Sequence, residues 1–378
     1  MKTLIHTLAL TTSLFLLAAC GGSDSKKVSP EKIAEVNYQT YLDETISAQI
    51  PGVILRVETA DKVFIGSAGF ANVETQAPMQ SYDQMAAGSA GKPMIALLAA
   101  MLHFEHYLDL DDTLPTWLTA DLVSQIEYGE QITLRQLLNH TSGIYNYTDE
   151  TTDHDIIEAV MNSPEVVRTD ADIITFGLNQ PAYFQPGEDF HYSNTNYVLV
   201  GLILDQVLGE HHFAELRRRI LSPLAMDNTF YLGVENDLGD IIDGYQVLHE
   251  SQESMKAFIE NFAPANAPVA STVTDLAIFM HALISDNSFI SEEIRDLFVA
   301  PESFSELAEN HLYGFGLEKH IIDGKTVYAH GGGYSGYLTE NYYISETQTR
   351  ISAFINCYDD VCKAAMVDLI DKVLANEL

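Results

Sequence analysis

Strand-like segments stand at the two ends of this sequence, and a long helical stretch separates them. The segments "GVILRVET" (52–59) and "KVFIGSAGF" (62–70) flank a tight Ala-Asp pair and predict a hairpin. Strand patterns return near the end, in "TVYAHGG" (326–332), "YLTENYYIS" (337–345) and "TRISAFINC" (349–357). We therefore predict an α/β (α+β) fold, in which the first and last parts share one antiparallel sheet with helices on it.

Helical patterns fill most of the stretch from 92 to 260. They are "KPMIALLAAMLHF" (92–104), "LRQLLNH" (134–140), "TNYVLVGLILDQVLGE" (195–210) and "FAELRRRILSPL" (213–224). Residues 31–50 also look helical, and residues 362–375 form an amphipathic pattern. At "STVTDLAIFMHAL", Thr272 is placed to cap a helix with Asp275 three residues on.

These patterns predict one domain over residues 31–375. Within it, residues 31–85 and 265–378 are expected to form an α/β lobe, and residues 86–264 a mostly helical lobe.

The net charge of the chain restricts the classes of partner that it can bind. Of 378 residues, 54 are acidic and 19 basic, which gives a net charge of −35. Such an excess opposes binding to nucleic acid or to anionic lipid through charge, so no nucleic-acid partner is expected. The hydrophobic content of 47% is enough for a large buried core.

The first residues have the pattern of an export signal. Lys2 supplies a positive start, residues 8–17 are a short apolar run, and "LAAC" follows at 17–20. This tetrad resembles the lipobox of bacterial lipoproteins, which implies removal of residues 1–19 and lipidation of Cys20. A plain secretory signal with a chance cysteine is the alternative.

A polar segment follows the lipobox. Residues 20–30 then comprise the lipidated Cys20 and a flexible Gly- and Ser-containing tether. Several acyl chains give a stable anchor, so a lipid membrane is an expected partner. Gly21 follows the cysteine, which in such signals favours the outer membrane. The expected location is the periplasmic face of a bacterial membrane.

The remaining cysteines are Cys357 and Cys362. In an oxidising compartment they predict a disulfide, while a reduced buried pair is the alternative. The sequence has no CxxC pair, no HExxH motif and no Gly-rich phosphate loop. No metal and no other cofactor is therefore predicted.

Ser89 and Lys92 begin the most apolar helix of the chain. Residues 94–102 are apolar at every position, which predicts a helix buried all round. A serine at its start meets unpaired N–H groups, and a buried lysine one turn later has a lowered pKa and is suited to be a base. Helix capping by Ser89 is the alternative. The Ser-x-x-Lys pattern alone is weak, because Ser23 and Lys26 repeat it in the tether.

Two further segments carry polar groups next to regular structure. Tyr192 and Asn194 lie just before a hydrophobic helix, where a phenol and an amide can project into a cleft. His330 ends a strand and is followed by three glycines, which allow close approach to the backbone. Taken singly, these residues are equally well explained as turn, cap and strand-edge residues.

In this order the segments resemble the three motifs of the penicillin-binding, class C β-lactamase-like serine hydrolases. The D-alanyl-D-alanine carboxypeptidases with a histidine in the third motif are the most similar subgroup. Accessory segments agree, among them "ITLRQLLNHTSGIYNY" (132–147) and "APVASTVTDL" (267–276). The matching motifs are Ser89-x-x-Lys92, Tyr192-x-Asn194 and His330-x-Gly332.

The resemblance implies a β-lactamase/transpeptidase-like fold with the active site between the two lobes, and a role for each motif residue. Ser89 would form an acyl-enzyme, with Lys92 or Tyr192 as the base that takes its proton. Asn194 would hold Lys92 and contact the substrate amide, while His330 would shape the cleft. The backbone N–H groups of Ser89 and Gly333 would form the oxyanion hole.

Three positions depart from the carboxypeptidase pattern and bear on the substrate. Gly331 and Gly333 replace threonines, and Glu318 precedes Lys319 where those enzymes carry an arginine. Gly331, Gly332 and Glu318 are the expected substrate-binding positions, and a glutamate repels a carboxylate. The leading expectation is hydrolysis of an amide or ester, with D-peptides first. An esterase, a weak β-lactamase and a non-enzymatic penicillin-binding sensor of peptidoglycan are the alternatives.

Overall fold

An antiparallel sheet built from both ends of the chain organises the fold. The computed structural model describes residues 36–149, 162–163, 165–248 and 251–378. The chain divides after Val36, and the architecture below concerns Asn37–Leu378. The signal and tether predicted for residues 1–30 lie outside the described residues.

The sheet contains ten strands within the described residues. Its strands are β1 (Gly52–Glu58), β2 (Val63–Asn72), β3 (Ala77–Pro78), β9 (Ser305–Ala308), β10 (His311–Tyr313), β11 (Glu318–Ile322), β12 (Lys325–Ala329), β13 (Gly332–Tyr334), β14 (Tyr337–Ile344) and β15 (Thr349–Ile355). They lie in the order β3-β2-β1-β15-β14-β12-β11-β10-β9, and β13 pairs with β14.

The junction between the two chain ends is the β1–β15 pair. Val53 lies opposite Ile355 and Val57 opposite Ile351, in antiparallel register. All four side chains are buried, because helices cover the sheet at its centre. The predicted hairpin of β1 and β2 and the predicted sharing of one antiparallel sheet are both confirmed.

The edge of the sheet from β9 to β11 was not expected from the sequence. These strands cover residues 305–322 and are only half-buried along most of their length. Half-buried short strands lack the continuous apolar run that marks a central strand, so their pattern is weak. They nevertheless place Glu318 directly opposite Ala329, the last residue of β12.

Helices cover the sheet and fill the middle of the chain. They are α1 (Tyr38–Thr45), α2 (Lys92–Phe104), α3 (Ala120–Val123), α4 (Leu134–Leu138), α5 (Asp170–Ile173), α6 (Asn194–Leu208), α7 (Phe213–Leu216), α8 (Lys256–Ile259), α9 (Val273–Ile284), α10 (Glu292–Val299) and α11 (Asp360–Glu377). The prediction for 92–104 coincides with α2, and Thr272 caps α9 by accepting from the Asp275 N–H at 3.2 Å. In the described part of the chain, each helix is too short or too polar to span a bilayer.

Small strands also occur within the segment predicted to be helical and at its two ends. Strands β4 (Met85–Ala86), β8 (Val269–Ser271) and β5 (Phe230–Tyr231) form one sheet, in that order. A second sheet pairs β6 (Tyr245–Leu248) with β7 (Ser251–Ser254). Two-residue strands have too few positions to show a period, so the sequence does not reveal them. The division into lobes stays a prediction.

Candidate active site

Ser89 lies in a tight turn that feeds directly into α2. The turn is a 3-10 segment, Gly88–Gly91, and the residue at the N-cap of α2 is Gly91, which makes no side-chain cap. The Ser89 hydroxyl instead contacts the Lys92 amine, with Oγ and Nζ 2.7 Å apart. Capping by Ser89 is therefore excluded as the explanation of this serine.

Lys92 is completely buried at the first residue of α2, with 0% of its surface exposed. Its Nζ also lies 2.8 Å from Asn194 Oδ1 and 2.7 Å from the Asn266 carbonyl oxygen. Burial holds the pKa of the Lys92 amine well below its ordinary value. A neutral amine can accept a proton from Ser89, so the geometry suits general-base chemistry.

Tyr192 reaches Ser89 from the loop before α6. Tyr192 and Ser89 line the same cavity, and the Lys92 Nζ lies 5.0 Å from the centre of the Tyr192 ring. Burial and, to a lesser extent, the negative charge of Glu318 raise the pKa of the Tyr192 phenol. The interaction with Ser89 lowers this pKa but does not cancel the increase. The phenol therefore stays protonated at neutral pH, which makes it a proton donor or relay rather than a phenolate.

Asn194 begins α6 and points its amide at Lys92. Its Nδ2 donates to Thr148 Oγ1 at 3.0 Å, which fixes Oδ1 as the atom that faces the amine. Its backbone N–H donates to Asn146 Oδ1 at 2.9 Å. Contacts on both sides of the amide hold it in one orientation.

Asn266 is a site residue that sequence analysis missed. Its carbonyl accepts from Lys92, its Oδ1 accepts from the Tyr147 hydroxyl at 3.0 Å, and it is almost fully buried. The residue lies in "PANAP" (264–268), two prolines around a short loop just before β8. Such a proline-bounded loop is a rigid turn signal, and it was the clue available in the sequence.

His330 lies at the end of β12 and is only 3% exposed. Its Nδ1 lies 2.6 Å from the Gly331 carbonyl oxygen, and its Nε2 lies 3.0 Å from the Tyr313 hydroxyl. Burial, opposed by the Glu318 charge, lowers the pKa of His330 to about 4. A neutral imidazole fits both contacts when Nδ1 donates and Nε2 accepts. Both ring nitrogens of His330 are thus engaged, one with Tyr313 and one with the Gly331 backbone. The side chain therefore positions these neighbours and leaves no ring nitrogen for a substrate.

Gly332 lets β13 pack against the turn that carries Ser89. A Cβ atom on Gly332 would lie 2.0 Å from the Ala87 carbonyl oxygen and 3.0 Å from the Ser89 nitrogen. Only glycine permits this approach. The following residue, Gly333, consequently lies beside Ser89, and both line the same cavity.

That cavity has a volume of about 210 Å³ and is largely polar. It includes Ser89, Tyr192 and Asn194, and side chains from β13 and the β6 hairpin extend it. Its lining residues are Ser89, Thr148, Tyr192, Asn194, Gln246, Gly333, Tyr334, Ser335 and Tyr358. The structure thus brings the first two predicted motifs and Gly333 together at one opening.

Acidic groups lie beside the third motif. A Cβ atom on Gly331 would lie 2.8 Å from Glu340 Oε1, so this carboxyl group occupies the space that a side chain at 331 would need. Burial, together with the Glu318 charge, raises the pKa of Glu340 to about 7. Glu318 turns its carboxylate to His311 and His320, and it does not line the cavity at Ser89.

Cys357 and Cys362 form a disulfide, with the sulfur atoms 2.07 Å apart. Both cysteines are buried, and the loop between them carries Tyr358, which lines the cavity. The disulfide therefore ties one wall of the cavity to the start of α11. Cys20, the predicted lipidation position, lies outside the described residues.

Ser89, the buried Lys92 and the protonated Tyr192 together form an arrangement that suits nucleophilic attack on a carbonyl carbon. The family model described as Beta-lactamase matches residues 35–372. The chain belongs to this family, which is the one that its motifs resemble.

Individual relatives share the fold at low identity. The Bacillus subtilis protein named Penicillin-binding protein 4* is 27% identical over 77% of this chain and 64% of its own length. The chain spans less than two thirds of the length of the curated relatives it matches first. A D-stereospecific amidohydrolase from Streptomyces superimposes with a TM-score of 0.73 at 24% identity, covering 85% of this chain and 93% of its own. The D-amino acid amidase from Ochrobactrum anthropi also superimposes with a TM-score of 0.73, at 21% sequence identity. That match covers 90% of this chain and 98% of the amidase.

Proposed function

We propose that this protein hydrolyses an amide or ester bond through an acyl-enzyme on Ser89. The observation that carries the proposal is the 2.7 Å contact between Ser89 Oγ and the buried Lys92 amine. The other two acceptors at Lys92 are an amide oxygen and a peptide carbonyl, both neutral. A buried amine held only by neutral groups keeps its lowered pKa, as a general base requires.

The lowered pKa of the Lys92 amine and the raised pKa of the Tyr192 phenol indicate the route of the proton. Ser89 Oγ attacks the substrate carbonyl carbon, and its proton moves to the Lys92 amine. The oxyanion that forms is stabilised by the N–H groups of Ser89 and Gly333, each such donor being worth about 3 kcal/mol in other enzymes. The C–N or C–O bond then breaks, and Lys92 returns the proton to the leaving group through the Tyr192 hydroxyl. Water cleaves the acyl-enzyme along the same route and restores Ser89.

The substrate is proposed to be a D-configured aminoacyl amide, peptide or ester without a free carboxylate next to the third motif. Glu340 fills the space beside Gly331, and Glu318 adds a second acidic group on the neighbouring strand. Glu340 disfavours a substrate carboxylate there by occupying the space, and Glu318 does so by its negative charge. Similarity to a D-stereospecific amidohydrolase and to a D-amino acid amidase supports the choice of D-configured substrates.

The test is a substrate panel with a matched pair of serine variants. It compares a D-amino acid amide, its L enantiomer, a nitrophenyl ester, a D-Ala-D-Ala peptide and a cephalosporin. We expect turnover of the D-amide or the ester, complete loss in Ser89→Ala, and no change in Ser124→Ala, which alters an exposed serine. Equal activity of Ser89→Ala and the wild type would remove the enzyme proposal. Preference for the D-Ala-D-Ala peptide would overturn the substrate choice alone.

We also propose that the chain is exported and anchored by lipid on Cys20, at the periplasmic face of a bacterial membrane. The support is the "LAAC" segment and the disulfide of Cys357 and Cys362, since disulfides persist in oxidising compartments. Metabolic labelling with a clickable fatty acid should mark the wild type and not Cys20→Ser. Equal labelling of both proteins would contradict the anchor.

A further inference from the structure

Three potential metal ligands converge near the β9 edge of the main sheet, outside the lining of the Ser89 cavity. Glu318 Oε2 lies 2.9 Å from His311 Nε2 and 3.2 Å from His320 Nε2. The two imidazole rings are stacked, with their centres 4.3 Å apart. Both rings thus direct the same kind of nitrogen at a single carboxylate oxygen.

Strand register, rather than chance side-chain positions, builds this cluster. His311 on β10 lies directly opposite His320 on β11, and Tyr313 lies opposite Glu318. Because side chains alternate along a strand, Glu318 and His320 share one face of β11. Lys319, between them, extends over the ring of Phe304 instead, with 5.3 Å from Nζ to the ring centre. The three ligands therefore stand on a paired and rigid support.

The ligand types and spacings fit one class of ion. We propose that His311, Glu318 and His320 form a binding site for Zn²⁺ or a similar first-row divalent cation. Tetrahedral Zn²⁺ with bonds near 2.05 Å places its ligand atoms about 3.3 Å apart, and two imidazoles with one carboxylate are a known zinc ligand set. Here all three ligand atoms lie within 4.8 Å of one another, so small side-chain adjustments complete the site.

The exposure of the cluster leaves a fourth position open. The side chains of His311, Glu318 and His320 are 34%, 26% and 23% exposed. An ion can therefore enter from solvent and keep a water as its fourth ligand. None of the three residues lines the cavity at Ser89, so binding of the ion can be measured without reference to hydrolysis.

A second cluster, also of one carboxylate and two imidazoles, is less suited to bind an ion. Asp205, His211 and His212 also lie close together. There, however, His212 is fully buried, and its ring nitrogens already contact Asp205 Oδ1 and the Tyr231 hydroxyl, each at 2.7 Å. An ion would have to reach a fully buried imidazole and separate His212 Nδ1 from Asp205, so this cluster is the natural control.

The test is a metal titration of the full chain after treatment with a chelator. Zn²⁺ is followed by calorimetry, and Co²⁺ by the visible absorption of its tetrahedral complexes. We expect one site in the wild type and in His211→Ala, and weaker binding in His311→Ala and His320→Ala. Since loss of groups that merely support a ligand costs about 10–100-fold in affinity, loss of a ligand should cost at least tenfold.

Two outcomes would overturn the proposal. One is wild-type protein that binds neither ion, and the other is equal affinity in wild type, His311→Ala and His320→Ala. Thermal unfolding without metal checks that each variant is folded. If His311→Ala is unfolded, His311→Gln replaces it in the test. The glutamine amide can still donate a hydrogen bond to Glu318 but is a poor zinc ligand.

Discussion

At the scale of single residues, Lys92 is a buried amine held only by neutral groups, which is what a general base requires. Its amine contacts Ser89, Asn194 and the Asn266 carbonyl, and burial lowers its pKa. The sequence predicted the contact with Ser89 from helical spacing, and the family resemblance implied the contact with Asn194. It did not predict Asn266, because a contact through a backbone carbonyl depends on where a loop lies and not on which side chain it carries.

Lys92→Met should therefore lower the acylation rate of Ser89 by about 10²–10⁴-fold, the usual contribution of a general base. In the wild type, the rate should rise with pH as the Lys92 ammonium loses its proton, at a pH well below the ordinary lysine pKa. Labelling with a fluorophosphonate across a pH series measures both effects. Lys62→Met, at an exposed site in the turn between β1 and β2, is the control and should label like the wild type. A Lys92→Met protein that labels at the wild-type rate would contradict the assignment.

At the scale of secondary-structure elements, the close approach of β13 to the Ser89 turn builds the site. The sequence suggested that the glycines after His330 admit a substrate to the backbone. The structure shows that Gly332 instead admits the backbone of Ala87, and so sets Gly333 beside Ser89. The glycine pattern was informative, but which partner it accommodates was decided by sheet geometry.

Gly332→Ala should slow the acylation of Ser89 although the protein still folds. A Cβ 2.0 Å from the Ala87 oxygen forces β13 away from the turn. A displacement of about 1 Å at a reacting site can cost about 100-fold in rate. The labelling rate and the unfolding temperature are the two measurements. Gly324→Asn is the matched control: it has open space and a φ of +77° that asparagine tolerates. Unchanged labelling of Gly332→Ala would show that β13 does not position the oxyanion hole.

At the scale of the whole molecule, buried ionisable groups make stability depend on pH in opposing ways. His330 has a lowered pKa of about 4, so the unfolded chain binds a proton that the folded chain refuses between pH 4 and 6.5. Its contribution to stability is lost as pH falls through that window. Glu340 has a raised pKa of about 7, and its contribution is lost as pH rises from 4.5 to 7.

Two glutamine variants should separate these contributions. Relative to the wild type, His330→Gln should gain stability on going from pH 7 to pH 4.5, because it lacks the histidine that resists protonation. Glu340→Gln should show the opposite trend, gaining relative stability on going from pH 4.5 to pH 7. Unfolding temperatures of the three proteins at both pH values give the comparison. Parallel shifts in the two variants would contradict the assigned pKa directions.

The sequence by itself determined the antiparallel sheet from the two chain ends, the buried helix α2 and the three motifs, because each is written in local periodicity or in short spacing. Only the tertiary structure decided what surrounds them. Asn266 at Lys92, Glu340 beside Gly331, and the pairing of His311 with His320 all come from segments distant in sequence or from half-buried strands. Strand register and loop packing fix these neighbours, and both are set by the burial of the whole core and leave no period in the residues themselves.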